Sequence, residues 1–213
     1  MARAAHERHV WFIEEPVDDE SDSHLRVHQI APGLGIVVPI LRQGLDKRAR
    51  VKAQAAVLRP FVEALAPGDP LHWYYIPEAR ACTAGLPVGS VVYDCVTAAS
   101  TGSASSAHRV WEAEMLAAAD LVFTDSAGLL TSMRGRHPDV SAFPDPPGLT
   151  FGTTAAAGQP AQVSVDAAWD ATWTRMHARI VQAESRRTSP RSRTRRPPMV
   201  SAPDEGRPLQ GAE

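Results

Sequence analysis

Short apolar runs, separated by polar, proline-containing or glycine-containing segments, recur along the first two thirds of the chain. Apolar runs rich in β-branched and aromatic residues are typical of strands buried on both faces of a parallel sheet. The strands predicted from these runs cover residues 9–13, 25–30, 35–40, 71–76, 90–95, 119–124 and 140–143. The second and third runs flank Pro32 and Gly33 and predict a hairpin, which Pro39 places at the periphery of the sheet. The acidic stretch 17–22 is predicted to be a solvated loop.

Apolar residues at helical spacing predict a long helix over residues 45–65. The apolar stripe of this helix consists of Val51, Ala55, Leu58, Val62 and Leu65. Pro60 lies inside the same stretch. Because proline removes a backbone donor and its ring clashes with the preceding turn, we expect Pro60 to kink or split the helix.

Three further helices follow the later strands. The first covers residues 108–119, and the second runs from a cap at Asp125 or Ser126 to about residue 136. The third covers residues 165–184. Its core-facing side is predicted from the spacing of Trp169, Trp173, Met176 and Ile180.

The alternation of strand and helix predicts an α/β fold with a single Rossmann-like, mostly parallel sheet flanked by helices. Residues 1–147 form this predicted domain. Residues 148–164 are rich in small residues and proline and are expected to be a linker before the C-terminal helix. From residue 185 to 213 the chain has almost no large apolar side chains and is expected to be a disordered tail, since it cannot bury enough surface to order itself.

Composition changes this picture mainly through charge. The net charge of −2 combines a tail from Arg186 onward at +4, from seven arginines and three acids, with −6 on the rest of the chain. No apolar run is long enough to span a membrane, and the N-terminus lacks the apolar core of a signal peptide. We therefore expect a cytoplasmic protein in which Cys82 and Cys95 stay reduced.

Several kinds of site receive no support from the sequence. Neither GxGxxG nor GxxxxGK[ST] occurs, so no cofactor or phosphate cradle is predicted, and the Gly33–Gly35 pair is interpreted as a turn. The eight histidines show no metal-ligand spacing, and no metal is expected. Cys95 has no identifiable base beside it, which favours a buried thiol over a nucleophile.

Carboxylates follow several of the predicted strands. In a parallel sheet, ligands bind at the edge where the carboxyl ends of the strands meet. The polar residues expected at this edge are Glu14, Glu15, Asp94, Cys95, Thr124 and Asp125. Carboxylates there either bind sugar hydroxyls and act as bases, or merely cap helices and turn the chain toward solvent. We take Glu15, Asp94 and Asp125 as the candidate acceptor-binding residues, and no catalytic residue is assigned.

The arginine-rich stretch 186–198 is of a kind that binds nucleic acid or other anionic surfaces. No aromatic residue is interleaved with these arginines for base stacking. We therefore expect no specific nucleic-acid partner.

Several segments, in this order, resemble the N-terminal half of the GT-B glycosyltransferases, group 1 or family 4-like, of actinobacterial type. They are HVWFIEEPVDDE, LHWYYIP, SVVYDC, WEAEMLAAADLVFT and RHPDVSAFP, within residues 7–147. The segment 165–180 is similar to the final helix of that family.

The resemblance implies two facing Rossmann-like domains that transfer a sugar from a nucleotide-sugar to an acceptor, with most of the donor site in the second domain. Only about 17 residues, 148–164, separate the first domain from the final helix, so we expect the donor domain to be missing. The resemblance then predicts a glycosyltransferase-like protein with impaired or no independent activity. It would use a nucleotide-sugar donor if active, and take a sugar or lipid-linked acceptor. The alternative is a non-enzymatic interaction protein that binds a partner protein through the crevice and the basic tail.

The chain also departs from the family pattern. Members carry an earlier strand and an Arg-Pro-Gln-His helix before the equivalent of HVWFIEEP, and the loop acids that follow YDC are replaced by VTAAS, residues 96–100. Since the first strand lies centrally in a doubly wound sheet, its absence is expected to open a gap or to force re-pairing of the strands. This leads us to expect marginal stability or a requirement for a partner.

Overall fold

The computed structural model describes residues 2–65, 70–96, 105–144 and 161–188. Most of the predicted linker and tail therefore lie outside the described residues. The strands are β1 (Val10–Ile13), β2 (Val17–Asp19), β3 (His24–Ala31), β4 (Leu34–Arg42), β5 (Leu71–Tyr74), β6 (Ser90–Cys95), β7 (Leu121–Thr124) and β8 (Val140–Ala142). The helices are α1 (Lys47–Leu65), α2 (Arg80–Thr83), α3 (Ser106–Ala118), α4 (Ala127–Arg134) and α5 (Ala161–Thr188), with 3-10 turns at Ala4–His6 and Pro77–Ala79. The predicted α/β class, with mostly parallel strands flanked by helices, is confirmed.

The strands form two four-stranded sheets rather than one continuous ladder. In the first sheet β1 and then β2 pair with one edge of β4 in parallel, and β3 pairs antiparallel with the other edge. The predicted hairpin therefore forms, but the prediction that Pro39 places it at the periphery is wrong for β4, which is the central strand. The second sheet has the order β5-β6-β7-β8 and is entirely parallel. Among the described residues no strand pairs β1 with β5, so backbone hydrogen bonds do not join the two sheets.

Helices bridge the two sheets where backbone pairing does not. Val37 of β4 packs with Leu58 and Val62 of α1, and the same core cluster contains Cys82 and Leu86 from the α2 region that follows β5. All five side chains are buried. One apolar cluster thus contains residues from both halves of the chain.

A glycine in β4 allows the largest residue of β1 to join this core. Trp11 lies directly over Gly35, where a Cβ atom would overlap the indole ring. The Trp11 ring then meets Phe61 of α1 edge-to-face, with 5.3 Å between the ring centroids. Such pairs add about 1 kcal/mol to the burial of their area.

The second sheet is covered on both faces. On one face Tyr93, Cys95 and Val122 pack against α3 and α4. On the other face Val92 and Phe123 pack against Ile180 of α5. The strands are therefore apolar on both sides, which is why they appear in the sequence as continuous runs.

The apolar stripe predicted for the last helix is confirmed at three of its positions. Trp173, Met176 and Ile180 pack in the cluster that joins α5 to β6 and β7, and Trp169 is half-buried. The helix is longer than predicted at both ends. Residues 161–164, predicted as linker, and 185–188, predicted as disordered tail, are helical. Ion pairs of Arg186 and Arg187 with acids of the sheet, described below, stabilise the C-terminal extension.

Two other predictions are wrong in detail. Residues 17–19 form strand β2 rather than a loop, because hydrogen bonding to β4 does not require apolar side chains at an exposed edge. Pro60 does not split α1, which is one helix throughout. The stripe predicted for α1 does face the core, although Leu65 at its end is exposed.

Candidate functional site

The carboxyl edge of the second sheet brings two of the three candidate acids together. Asp94 lies near the end of β6 and Asp125 directly follows β7, and these strands are parallel neighbours. Burial raises the pKa of the Cys95 thiol, and the negative charges of Asp125 and Asp94 add to this rise. Glu15 is not part of this group: it follows β1 of the other sheet, and its side chain is exposed.

Asp94 lies among aromatic rings. The indole Nε1 of Trp73 donates a hydrogen bond to Oδ2 of Asp94, with 3.2 Å between the two atoms. Trp73 is itself held by Phe123 of β7 and Trp173 of α5, at 5.5 and 6.5 Å between ring centroids. Because these contacts fix the indole on the α5 side of the sheet, the orientation of the Asp94 carboxylate is fixed too.

Tyr75 adds a second aromatic ring at the same edge. It directly follows β5, and its ring lies 6.4 Å from that of Trp73. Burial and the negative charge of Asp94 raise the pKa of the Tyr75 phenol well above its ordinary value, so it stays protonated as a hydrogen-bond donor. Tyr75 as a whole residue is nevertheless 37% exposed, which leaves part of it available to a ligand.

Side chains next to Asp94 in β6 point to the opposite face. Tyr93 and Cys95 are buried against α3 and α4. Burial raises the pKa of both groups, so Cys95 remains a protonated thiol at neutral pH. The prediction that Cys95 is a buried thiol is confirmed.

The cap of α4 settles a choice that the sequence left open. The hydroxyl of Ser126 accepts a hydrogen bond from the backbone N–H of Leu129 at 3.3 Å, so Ser126 is the N-cap. Asp125 is half-buried next to it. Its carboxylate is not used as the helix cap, which was the structural alternative for this residue.

Sequence reasoning missed a polar pair on the α3 side of the same edge. Nδ1 of His108 lies 2.5 Å from Oε1 of Glu78, which belongs to the 3-10 turn after β5. The other Glu78 oxygen, Oε2, is buried with no hydrogen-bond partner among the described residues. The sequence did contain a signal for this pair. Glu78 follows strand β5, and His108 lies in the first turn of the helix that follows strand β6, so both residues are expected at the carboxyl edge of the sheet.

A deeper carboxylate on the same helix is structural. Glu112 of α3 is only 1% exposed, and its Oε2 accepts a hydrogen bond from Nη1 of Arg136 at 2.5 Å. The buried imidazole of His137 has a similar role, since its two nitrogens lie within hydrogen-bond distance of the carbonyls of Ala119 and Asp139. These residues hold α3, α4 and β8 together.

Within the described segments, no three His, Cys, Asp or Glu side chains lie close enough together to hold a metal ion. None of the helices in the same segments has both the length and the apolar character needed to cross a membrane.

No protein-family model matches the chain, and no curated protein matches its sequence. The resemblance to the GT-B glycosyltransferases therefore stays a prediction carried by the segments quoted above.

Proposed function

We propose that this chain is a glycosyltransferase-like protein whose sheet edge at Asp94 binds a sugar acceptor, and that it does not transfer sugar on its own. The observation that carries the proposal is the Asp94 carboxylate, which accepts a hydrogen bond from Trp73 at the edge where the ring of Tyr75 also lies. Sugars present apolar C–H faces as well as hydroxyl donors. An aromatic ring beside a fixed carboxylate matches both features.

Each residue has a distinct part in this proposal. Asp94 accepts hydrogen bonds from sugar hydroxyls, and charged acceptors make the stronger kind of hydrogen bond. Tyr75 offers its exposed ring to the sugar face and its protonated phenol to a sugar oxygen. Asp125 supplies a second carboxylate at the end of the neighbouring strand.

Apolar surface beside this edge favours a lipid-linked acceptor. Ile76, directly after Tyr75, is 48% exposed, and Val96, after β6, is 46% exposed. Exposed apolar residues mark a binding surface where they form a contiguous patch rimmed by polar residues. A sugar attached to a lipid would place its polar group at Asp94 and its chain along Ile76 and Val96.

Binding is tested by titrating the chain with monosaccharides and short-chain alkyl glycosides, followed by tryptophan fluorescence and calorimetry. We expect alkyl glycosides to bind more tightly than the free sugars. Asp94→Asn and Tyr75→Ala should weaken binding by roughly tenfold or more, the loss of one good polar or stacking contact. Glu15→Gln is the matched control, since Glu15 lies on the other sheet, and should bind as the unmodified chain does. If no glycoside binds, or if E15Q weakens binding as D94N does, the proposal is wrong.

Transfer is tested separately. The chain is incubated with UDP- and GDP-sugars and with the alkyl glycoside that binds best, and products are sought by mass spectrometry. We expect binding of the glycoside without turnover. Turnover by the chain alone would show a complete transferase and would overturn the second half of the proposal while leaving acceptor binding in place.

The alternative, an interaction protein that uses a basic tail, receives less support at the start of that tail. Arg187 Nε pairs with Oδ1 of Asp120 at 2.8 Å, and Arg186 pairs with Asp139. These two arginines are therefore engaged within the chain. The rest of the arginine-rich stretch lies outside the described residues.

A further inference from the structure

We propose that two copies of this chain associate through the outer edge of β3, which pairs antiparallel with itself across a two-fold axis at Val27. β3 is the last strand of the first sheet, and within the described residues only its β4 side is paired. The backbone N–H and C=O groups along its other edge are of the kind that a further strand satisfies. The surface thus specifies an extended strand as its occupant.

β3 differs from the other strands that end a sheet. It has eight residues, whereas β1 and β5 have four and β2 and β8 have three. Proteins protect edge strands by keeping them short or by placing charges, prolines and bulges on them. β3 contains no proline, carries Arg26 as its one residue with a permanent charge, and has one irregularity, between Gln29 and Ala31.

Its side chains are also unusually exposed. Seven of the eight residues of β3 are exposed, including Val27 at 44% and Ile30 at 58%. β-branched residues at an exposed edge are favourable only when a neighbouring strand packs against them. A partner strand would give Val27 such a neighbour.

A second copy is the occupant that the geometry of this strand favours. An antiparallel pair can be related by a two-fold axis, which is the commonest symmetry of protein dimers and requires only one self-complementary surface. Side chains directly opposite each other must lie on the same face, so the axis passes through a residue and not between two residues. Within the regular stretch 24–29, an axis at residue 26 or 27 pairs the largest number of residues.

Charge decides between these two registers. An axis at residue 26 would place Arg26 directly opposite the same arginine of the second copy, and like charges in that position are destabilising. An axis at Val27 places valine opposite valine and sets Arg26 opposite His28 instead of opposite a second arginine. It also pairs Leu25 with Gln29. The register centred on Val27 is therefore the favoured one.

Disulfide trapping in the full chain tests this register. With the axis at Val27, Val27→Cys brings two cysteines opposite each other at a Cα separation of roughly 4.5–5.5 Å, within the range that a disulfide spans. Gln29→Cys lies on the same face of the same exposed strand, but its two copies would be about 14 Å apart. The natural cysteines, Cys82 and Cys95, are both buried. We expect V27C to form a disulfide-linked dimer under mild oxidation and Q29C to form none.

Sedimentation velocity, followed as a function of protein concentration, tests association without a cross-link. Val27→Lys places two lysines opposite each other at the axis and should weaken dimerisation by roughly tenfold or more. Val110→Lys, at a 54% exposed position of α3, is the matched control and should dimerise as the unmodified chain does. Circular dichroism checks that both variants fold.

The outcomes separate this proposal from the proposed function. A chain that remains monomeric at the highest accessible concentration, or cross-linking of Q29C in preference to V27C, overturns the β3 dimer. Glycoside binding should be unchanged in V27K, because Asp94 lies on the other sheet. Loss of sugar binding in D94N with dimerisation intact tests the proposed function alone.

Discussion

Among single residues, the buried ion pair between Glu112 and Arg136 has the largest predicted effect on stability. The Glu112 side chain is 1% exposed, whereas that of Arg136 is 34% exposed. Removing the cation from a buried pair leaves a desolvated carboxylate with less compensation.

We therefore expect Arg136→Met to lower the free energy of unfolding by about 3 kcal/mol. Urea denaturation measures the change. Arg134→Met, at an exposed position two residues earlier in the chain, is the control and should change stability by less than about 0.5 kcal/mol. Equal effects of the two substitutions would show that the ion pair with Glu112 adds nothing to the free energy of unfolding beyond what an exposed arginine contributes.

The buried imidazole of His72 makes the stability of the chain depend on pH. Burial, and then the positive charge of Arg80, lowers the pKa of His72 below its ordinary value of 6.5. The unfolded chain therefore binds a proton at this residue at a pH where the folded chain does not. This contribution to stability is present above pH 6.5 and is lost as the pH falls below it.

Replacing the imidazole should remove this part of the pH dependence. We expect His72→Gln to lose less stability than the unmodified chain between neutral and mildly acidic pH, as measured by urea denaturation at each pH. His28→Gln, at an exposed position of β3, is the matched control. If H72Q and the unmodified chain lose stability in parallel, the burial of His72 does not affect folding.

At the level of elements, α1 tolerates a proline in its interior. Pro60 is exposed, and the helix continues for five residues beyond it. Packing of Leu58 and Val62 on either side of the proline keeps both parts of the helix on the same core. The apolar stripe therefore outweighs the local preference of one residue.

Because Pro60 still lacks a backbone donor, Pro60→Ala should stabilise the chain. Regaining the helical hydrogen bond is offset in part by the greater freedom of the unfolded chain, which leaves a gain of about 1–2 kcal/mol. Thermal denaturation measures it. Ala56→Pro, at an exposed position one turn earlier, should lose about 3 kcal/mol. A destabilised P60A would show that the proline is needed for the packing of α1.

Most strands could be predicted because burial on both faces leaves a clear apolar run, as in Ser90–Cys95 and Leu121–Thr124. β2 could not, since its residues Val17–Asp19 are all exposed and pairing with β4 uses only the backbone. The end of α5 depends on ion pairs with distant residues. The sequence does not reveal such partners.

Part of the candidate site could be predicted from the order of the strands. Asp94 and Asp125 follow adjacent parallel strands, so strand order alone brings them together. Glu15 also follows a strand, but that strand belongs to the other sheet, and the separation into two sheets depends on pairing over long distances in the chain. His108 and Glu78 are thirty residues apart in sequence, and only the fold shows that they meet.

In the whole molecule, charged contacts connect the N-terminal segment to α5. Arg8 donates two hydrogen bonds to the carboxylate of Glu184, at 2.6 and 2.9 Å. Glu7 lies 2.7 Å from Nδ1 of His177. Since Arg8 leads directly into β1 and α5 packs on the second sheet, these pairs join the two halves across the interrupted ladder.

The separation of the strands into two sheets affects how the chain unfolds. Strands that share a hydrogen-bonded ladder lose protection together, whereas separate ladders can unfold as separate cooperative units. We expect amide hydrogen exchange to resolve two opening free energies, one for β4 and a higher one for β6 and β7, which α5 covers.

Arg8→Ala should then speed the exchange of β1 and β4 amides and leave those of β6 and β7 almost unchanged. Arg59→Ala, which removes an exposed pair with Glu63 on α1, should leave both sets unchanged. A single opening free energy shared by all the strands would contradict this expectation. If two are found, the first sheet is the part of the molecule that unfolds first, and it carries the β3 edge with it.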